Sequence, residues 1–140
     1  MKNHKTYNEC IGTKIFLLGD KYHGYWKEGK RHGKGRHTWP NGDIYLGQFK
    51  NDKQHGIGNY TWSNGEKYSG NFLEGIRIGQ GVYTWPSGEK YIGEFDNNKR
   101  HGQGTHIWPN GEKYVGEFVE GSKNGGGTYT WPNGEKYIGE

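Results

Sequence analysis

Residues 91–113 read YIGEFDNNKRHGQGTHIWPNGEK, and this stretch of 23 residues recurs along the chain. A tyrosine opens each copy, and successive opening tyrosines lie 23 residues apart without insertion or deletion: Tyr22, Tyr45, Tyr68, Tyr91, Tyr114 and Tyr137. A fixed period of this length is typical of proteins built from stacked repeats. Five full copies therefore occupy residues 22–44, 45–67, 68–90, 91–113 and 114–136, and a sixth begins at 137–140.

The residues inside each copy keep the same register. Counting the opening tyrosine as repeat position 0, every full copy has glycine at positions 2, 11, 13 and 20 and tryptophan at position 17. Of the 140 residues 27 are glycine, 29% are hydrophobic and 16% are aromatic, so aromatic rings supply more than half of the apolar content. An ordinary core of aliphatic side chains is not available to this composition.

Two short stretches in each copy alternate with a period of two. Tyr-x-Gly-x-Phe covers positions 0–4, and Gly-x-Gly-x-Tyr-x-Trp, with histidine in place of the second tyrosine in copies one and four, covers positions 11–17. Alternation of this kind predicts two β-strands per copy. Pro-Asn-Gly, as at residues 40–42, suits a tight hairpin turn. A second turn is predicted at positions 5–9, centred on residues that tolerate the left-handed region.

The expected fold is all-β: a single-layer, twisted antiparallel meander of repeated β-hairpins, with about ten strands. Glycine in a strand often marks the close approach of another group. Here the glycines share a face with the aromatic residues, so we expect rings from neighbouring strands to lie over bare backbone. Stacked copies would then share one aromatic stripe.

The N-terminal end departs from the repeat. Residues 1–10 are polar and are predicted to be a loose tail. Gly12 and Gly19 fall at positions 13 and 20 of a preceding copy, and Phe16 falls where tryptophan sits later. Residues 11–21 are therefore predicted to be a degenerate half-repeat that caps one end of the array.

The pattern Tyr-x-Gly-x-Phe-x-x-Gly-x-x-His-Gly-x-Gly resembles the MORN repeat (membrane occupation and recognition nexus), most closely at residues 22–35 and 91–104. The resemblance covers residues 22–140 and implies a ribbon of β-hairpins. Proteins with such repeats serve in scaffolding, membrane apposition and partner binding. The departures are local, such as Ile78 and Asn124 in place of the histidine at position 10.

Catalytic and metal sites are not expected. His32, His55 and His101 share position 10, but equivalent positions two strands apart are separated by about 9.6 Å, too far to share one zinc ion. Nothing singles out a pair of unlike carboxylates or a serine with a partnered base. The acids at position 21 are interpreted as a solvated edge. The glycine-rich runs do not open a helix, so no nucleotide or other cofactor is expected.

The aromatic stripe is the first candidate site, because no other segment of the chain can cover it and a long exposed apolar groove usually marks a partner site. Its predicted groove residues are Tyr45, Phe49, Trp62, Tyr68, Phe72, Trp85, Tyr91, Phe95, Trp108, Tyr114, Phe118 and Trp131. The alternative interpretation is that these side chains are simply the core of the repeat array.

The second candidate is a basic ladder along the turn at positions 8 and 9: Lys30, Arg31, Lys53, Arg77, Lys99, Arg100 and Lys123. Bases near an anionic membrane attract its lipids by about 1 kcal/mol each. Acidic residues in the same loops dilute this field, so a solvated edge is the alternative.

These patterns predict a non-catalytic scaffold that holds a peptide or helix of a partner protein in the aromatic groove. A peripheral membrane adaptor that binds anionic phospholipid is one alternative. A structural spacer that forms a homodimer through its uncapped C-terminal edge is another. We expect no nucleic-acid partner, and a cytoplasmic location, with peripheral attachment to a membrane or cytoskeletal structure as the alternative.

Overall fold

The computed structural model describes residues 9–139, which form one open antiparallel sheet without a helix. Its strands follow chain order, each hydrogen-bonded to its neighbours along the chain. The strands are β1 (Glu9–Ile15), β2 (Lys21–Lys27), β3 (Lys30–Thr38), β4 (Ile44–Lys50), β5 (Lys53–Thr61), β6 (Lys67–Leu73), β7 (Ile76–Thr84), β8 (Lys90–Asp96), β9 (Lys99–Ile107), β10 (Lys113–Val119), β11 (Ser122–Thr130) and β12 (Lys136–Gly139). The predicted all-β meander is confirmed.

Each full copy contributes one strand of seven residues and one of nine, as β4 and β5 do in copy two. The five copies thus give the ten strands that the period predicted. Two more come from the ends of the array, since β1 precedes copy one and β12 belongs to the start of copy six.

The first strand overlaps the predicted tail. Residues 1–8 of that tail lie outside the described residues, but Glu9 and Cys10 already belong to β1, where Cys10 pairs with Trp26. The turn after β1 repeats the later turns: the Phe16 amide donates to the Asp20 carbonyl at 2.8 Å, and the Gly19 amide to the Phe16 carbonyl at 2.9 Å. Residues 9–20 thus supply a strand and a turn of the repeat type.

The turns at the tryptophan end of the sheet match their predicted chemistry. The Trp39 amide donates to the Asp43 carbonyl at 2.9 Å, and the Gly42 amide donates back to the Trp39 carbonyl at 3.0 Å. Gly42 has a φ of 96°, which only glycine adopts easily.

The turns at the other end are shorter than predicted. Glu28 and Gly29 have φ values of 50° and 75°, and they alone separate β2 from β3. Two successive residues with positive φ are the mark of the type I′ hairpin turn, whose twist matches that of the strands it joins. The left-handed residue predicted at repeat position 7 is present in every full copy, but β3 begins at position 8, inside the loop predicted at positions 5–9.

A bulge follows in each copy. In copy two Gly47 pairs with Gly58, but the next pair is Phe49 with Gln54, so the second strand carries two extra residues. Gly56 lies in this bulge with a φ of 70°. The bulge brings repeat position 9 opposite the phenylalanine at position 4, on the same face of the sheet.

Candidate binding face

One face of the sheet carries the aromatic side chains at repeat positions 0, 4, 15 and 17, and we call it the aromatic face. The opposite, polar face carries the alternate positions. In β10 the pattern is direct: Tyr114, Gly116 and Phe118 are buried, whereas the residues between them are exposed. Every described strand lies in the one sheet, so no described element covers the aromatic face.

Each opening tyrosine lies flat on glycine, as the sequence predicted. A Cβ atom at Gly104 would lie 2.4 Å from Cε2 of Tyr91, so any larger residue there would collide with the ring. The Tyr91 hydroxyl donates to the Glu94 carbonyl at 2.8 Å. Burial raises the pKa of Tyr91 to about 12, so this phenol stays protonated and keeps donating at any physiological pH.

The tyrosines and phenylalanines pack edge to face across successive copies. The Tyr68 ring lies 5.2 Å from Phe72 and 5.0 Å from Phe95, with interplanar angles of 87° and 83°. Eight of the predicted groove residues belong to this chain of rings and are at most 4% exposed: Tyr45, Phe49, Tyr68, Phe72, Tyr91, Phe95, Tyr114 and Phe118. They form the core, so a partner would reach them only if they moved.

The other four predicted groove residues form a second, outer row with the side chains at position 15. Trp62 lies 5.2 Å from Tyr83, and Tyr83 lies 4.6 Å from Trp85. We call this the indole row: His37, Trp39, Tyr60, Trp62, Tyr83, Trp85, His106, Trp108, Tyr129 and Trp131. All but the buried His37 and His106 are partly buried and open to the solvent.

Trp39 and the position-15 residues were absent from the predicted groove. Strand alternation already placed position 15 on the same face as tryptophan, which was the available signal. Position 15 holds histidine instead of tyrosine at His37 and His106, so the sequence pattern did not indicate a continuous row of rings.

The basic ladder divides between the two faces, which corrects the prediction of one edge. Arg31, Arg77, Arg100 and Lys123, at position 9, lie over rings of the aromatic face. The Arg77 guanidinium carbon is 5.2 Å from the centre of the Trp62 ring. Lys30, Lys53 and Lys99, at position 8, are exposed on the polar face. Adjacent residues of a strand point to opposite faces, and both positions lie within strands.

The acids at position 21 are also not simply a solvated edge. Asp43 is 8% exposed and accepts hydrogen bonds from the Tyr60 hydroxyl and the Ser63 amide, each at 2.8 Å. Burial raises the pKa of the Asp43 carboxyl, but the hydrogen bonds from Tyr60 and Ser63 outweigh it and hold the pKa below its usual range. The acid of one copy thus binds the indole row of the next.

The same contact recurs along the array. Glu66 accepts from the Tyr83 hydroxyl, and Glu89 lies 3.2 Å from Nε2 of His106. Burial lowers the pKa of His106, so the ring is neutral at neutral pH despite the nearby carboxylate.

Two clefts open on the aromatic face. One, of about 230 Å³, lies between Arg77, Trp85 and Arg100. The other, of about 550 Å³, lies near the N-terminal end between Phe16, Trp39 and Gln54. Within residues 9–139 there is no cluster of three potential metal ligands and no helix long and apolar enough to cross a membrane.

Comparison with known proteins identifies the repeat. The family model described as MORN repeat matches five consecutive segments, at residues 22–44, 45–67, 68–90, 91–113 and 114–136. No curated protein sequence matched the chain.

Among solved structures, the chain is similar to the SAS-4 (dCPAP) TCP domain of Drosophila melanogaster, in complex with a proline-rich motif of Ana2 (dSTIL). That similarity has 16% sequence identity and a TM-score of 0.35, over 100% of this chain and 93% of that one. It is too low to bear on function. The family match, by contrast, spans most of the described sheet, and the chain therefore belongs to the MORN repeat family.

Proposed function

We propose that the chain is a non-catalytic scaffold that holds a segment of a partner protein against the aromatic face. The observation that carries the proposal is the indole row, an unbroken line of mostly partly buried rings that no described element covers. Tryptophan, tyrosine and arginine are the residues most often found at the energetic centres of protein interfaces. Here all three lie side by side on one face.

The buried rings beneath favour a preorganised surface. Each tyrosine is held by a hydrogen bond to the backbone three residues on, as Tyr45 is to the Gln48 carbonyl at 2.7 Å. The outer rings therefore rest on side chains that have little freedom to move. A rigid surface loses less entropy on binding than a mobile one, which favours affinity.

The absence of catalysis is part of the proposal. Catalysis needs a few unlike groups gathered at one place, with pKa values matched to their task. The groups on the aromatic face repeat, and three of the acids at position 21, Asp43, Glu66 and Glu89, are engaged by the tyrosine or histidine of the next copy. These contacts give the three acids a structural role.

A protein partner is favoured over a phospholipid by the position of the bases. Four of the seven predicted lipid-binding residues are engaged with rings of the aromatic face. Of the others, Lys99 lies 2.8 Å from Glu120, which reduces its attraction for an anionic surface. The spacer that dimerises through its C-terminal edge is the remaining alternative, since β12 pairs only with β11 among the described strands.

The proposal is tested by affinity capture from a cell extract with quantitative mass spectrometry. We compare the native chain with Trp85→Ala/Trp108→Ala and with Ile92→Ala/Val115→Ala, a matched pair of changes on the polar face. A protein retained by the native chain and the polar-face variant, but lost from the indole variant, is the expected result. An unchanged set of captured proteins in the indole variant would contradict the proposal.

Vesicle co-sedimentation separates the membrane alternative. Binding to anionic vesicles that fades with salt and is lost when Lys30, Lys53 and Lys99 are changed to glutamate would replace the proposal with a membrane adaptor. Absence of binding at low salt, where screening is weakest, would remove the membrane alternative. A mass that doubles with concentration, without captured protein or lipid, would favour the spacer.

A further inference from the structure

Repeat position 9 carries a cation in four of the five full copies, and each cation lies over aromatic rings of a neighbouring copy. The Arg77 guanidinium carbon lies 5.2–5.9 Å from the centres of four rings, contributed by copies two, three and four. The Lys123 ammonium lies 4.6 Å from the centre of the Trp108 ring. Attraction between cations and ring faces therefore joins successive copies.

Each arginine also donates to a backbone carbonyl at the same repeat position. One terminal nitrogen of Arg31 donates to the Asp52 carbonyl at 2.7 Å, and that of Arg77 to the Asn98 carbonyl at 2.8 Å. Arg100 makes the corresponding bond to the Gly121 carbonyl. In each case the acceptor is position 7 of the next copy, so the array contains a repeated binding site for a guanidinium group.

Copy two lacks the cation. Gln54 occupies position 9, and no cationic side chain of the described residues lies over Trp39 in the way that Arg77 lies over Trp62. The equivalent acceptor, the Gly75 carbonyl, receives no side-chain donor within the described part of the chain. The ring surface and the carbonyl that bind a guanidinium elsewhere are thus left open.

The larger cleft lies at this position. It corresponds residue for residue to the smaller one, two copies along: Arg31, Trp39, Phe49 and Gln54 replace Arg77, Trp85, Phe95 and Arg100. Its volume is about 550 Å³ against about 230 Å³. The shorter, neutral Gln54 side chain and the Phe16–Leu18 segment, which lines only the larger cleft, distinguish the two.

The charged residues that line the two clefts also favour a cation in the larger one. The lining of the smaller cleft has three bases and no acid: Arg77, Lys99 and Arg100. The lining of the larger one has two bases and two acids, because Asp52 replaces Asn98 and Asp20 is added. Asp52 lies 3.2 Å from Arg31 and offsets its charge. A cation therefore meets less repulsion in the Gln54 cleft than it would in the smaller cleft.

We propose that the Gln54 cleft binds an arginine side chain of a partner protein, which takes the place of the missing position-9 arginine. The guanidinium packs against the Trp39 indole and donates to the Gly75 carbonyl. This inference rests on the proposed function, because it gives the partner segment one specific anchor on the aromatic face.

The test is a titration of the full chain with N-acetyl-arginine amide, followed by the indole N–H resonances in NMR spectra. The Trp39 and Trp85 resonances are assigned with Trp39→Phe and Trp85→Phe variants. We expect a saturable shift at Trp39 and none at Trp85, whose position is already filled by Arg100. N-acetyl-citrulline amide, which has nearly the same shape without the charge, should bind roughly tenfold more weakly.

Gln54→Arg supplies the missing group from within the chain and should abolish the Trp39 response. Gln54→Lys, which reproduces the lysine found at this position in copy five, is the second variant, and circular dichroism checks that each is folded. Equal binding of the arginine and citrulline probes, a response that persists in the filled variants, or no response in the native chain would overturn the proposal.

The protein-binding function and the arginine site are tested by different measurements, so either can be rejected without the other. A partner captured through Trp85 and Trp108 with no arginine response at Trp39 would remove only the arginine site. Conversely, the titration needs no partner, so its result stands whether or not capture succeeds.

Discussion

Replacing Gly104 with alanine tests whether the opening tyrosine must lie directly on the backbone. The change adds one carbon atom, and Gly104 does not have a positive φ, so the backbone itself accepts alanine. The added Cβ would lie 2.4 Å from both Cε2 and the hydroxyl oxygen of Tyr91. The van der Waals contact distance between two carbon atoms is about 3.5 Å, so the ring must move by about 1 Å.

The cost follows from that displacement. Overpacking a fully buried side chain costs about 1–3 kcal/mol. The moved ring also loses its 2.8 Å bond to the Glu94 carbonyl, which is worth about 1 kcal/mol. Alanine also lowers the conformational entropy of the unfolded chain, which stabilises the folded state by about 0.4–1 kcal/mol. We expect the free energy of unfolding to fall by about 2–3 kcal/mol, with a melting temperature lower by roughly 10 °C.

The assay is urea unfolding followed by both tryptophan fluorescence and circular dichroism, whose agreement checks that one transition is being measured. Gly126→Ala is the matched control, because its added Cβ would meet only the Gly139 carbonyl at 3.6 Å. In a Tyr91→Leu background the colliding atoms are absent, and Gly104→Ala should cost almost nothing. A loss equal to that of Gly126→Ala, or one unchanged in the leucine background, would refute the packing argument.

Three further predictions concern contacts between copies. Tyr60→Phe removes a donor to the buried Asp43 carboxylate, and the free energy of unfolding in urea should fall by about 1.5–3 kcal/mol; no loss would mean that water replaces the hydroxyl. Arg77→Met keeps an unbranched side chain but removes the guanidinium that lies over four rings and donates to the Asn98 carbonyl, and the same measurement should show a loss of about 1–2 kcal/mol; an unchanged stability would contradict the cation–ring contact. Burial lowers the pKa of His106. As the pH falls below the usual histidine pKa, this side chain therefore takes up a proton in the unfolded chain but not in the folded one, and the free energy of unfolding decreases. His106→Tyr should therefore reduce the difference between urea midpoints at pH 7.5 and pH 5.5, and an unchanged difference would contradict this assignment.

The period of 23 residues was sufficient to predict the sheet, since the alternation, the turns and the tyrosine–glycine contact all recur in every copy. The position of the bases was less predictable, because it depends on where a turn ends. A loop over positions 5–9 would leave Lys30 and Arg31 together on one edge. The observed turn has two residues, so both bases lie in β3 and point to opposite faces.

The contacts between neighbouring copies could not be predicted from the sequence either. Asp43 and Tyr60 are 17 residues apart and belong to different copies, and a repeat pattern does not show which positions of neighbouring copies meet. The division of the aromatic residues into a buried layer and the indole row has the same origin. It depends on which rings the next copy covers, and that emerges only once the strands are in register.

The most direct test of the aromatic face as a protein-binding surface is photocrosslinking from single positions. The crosslinking amino acid p-benzoylphenylalanine replaces Trp85 on the indole row in one variant and Ile92, on the polar face, in another. We predict a protein adduct from position 85 and none from position 92. Adducts from position 92 alone, or lipid adducts in place of protein at position 85, would contradict the proposed function.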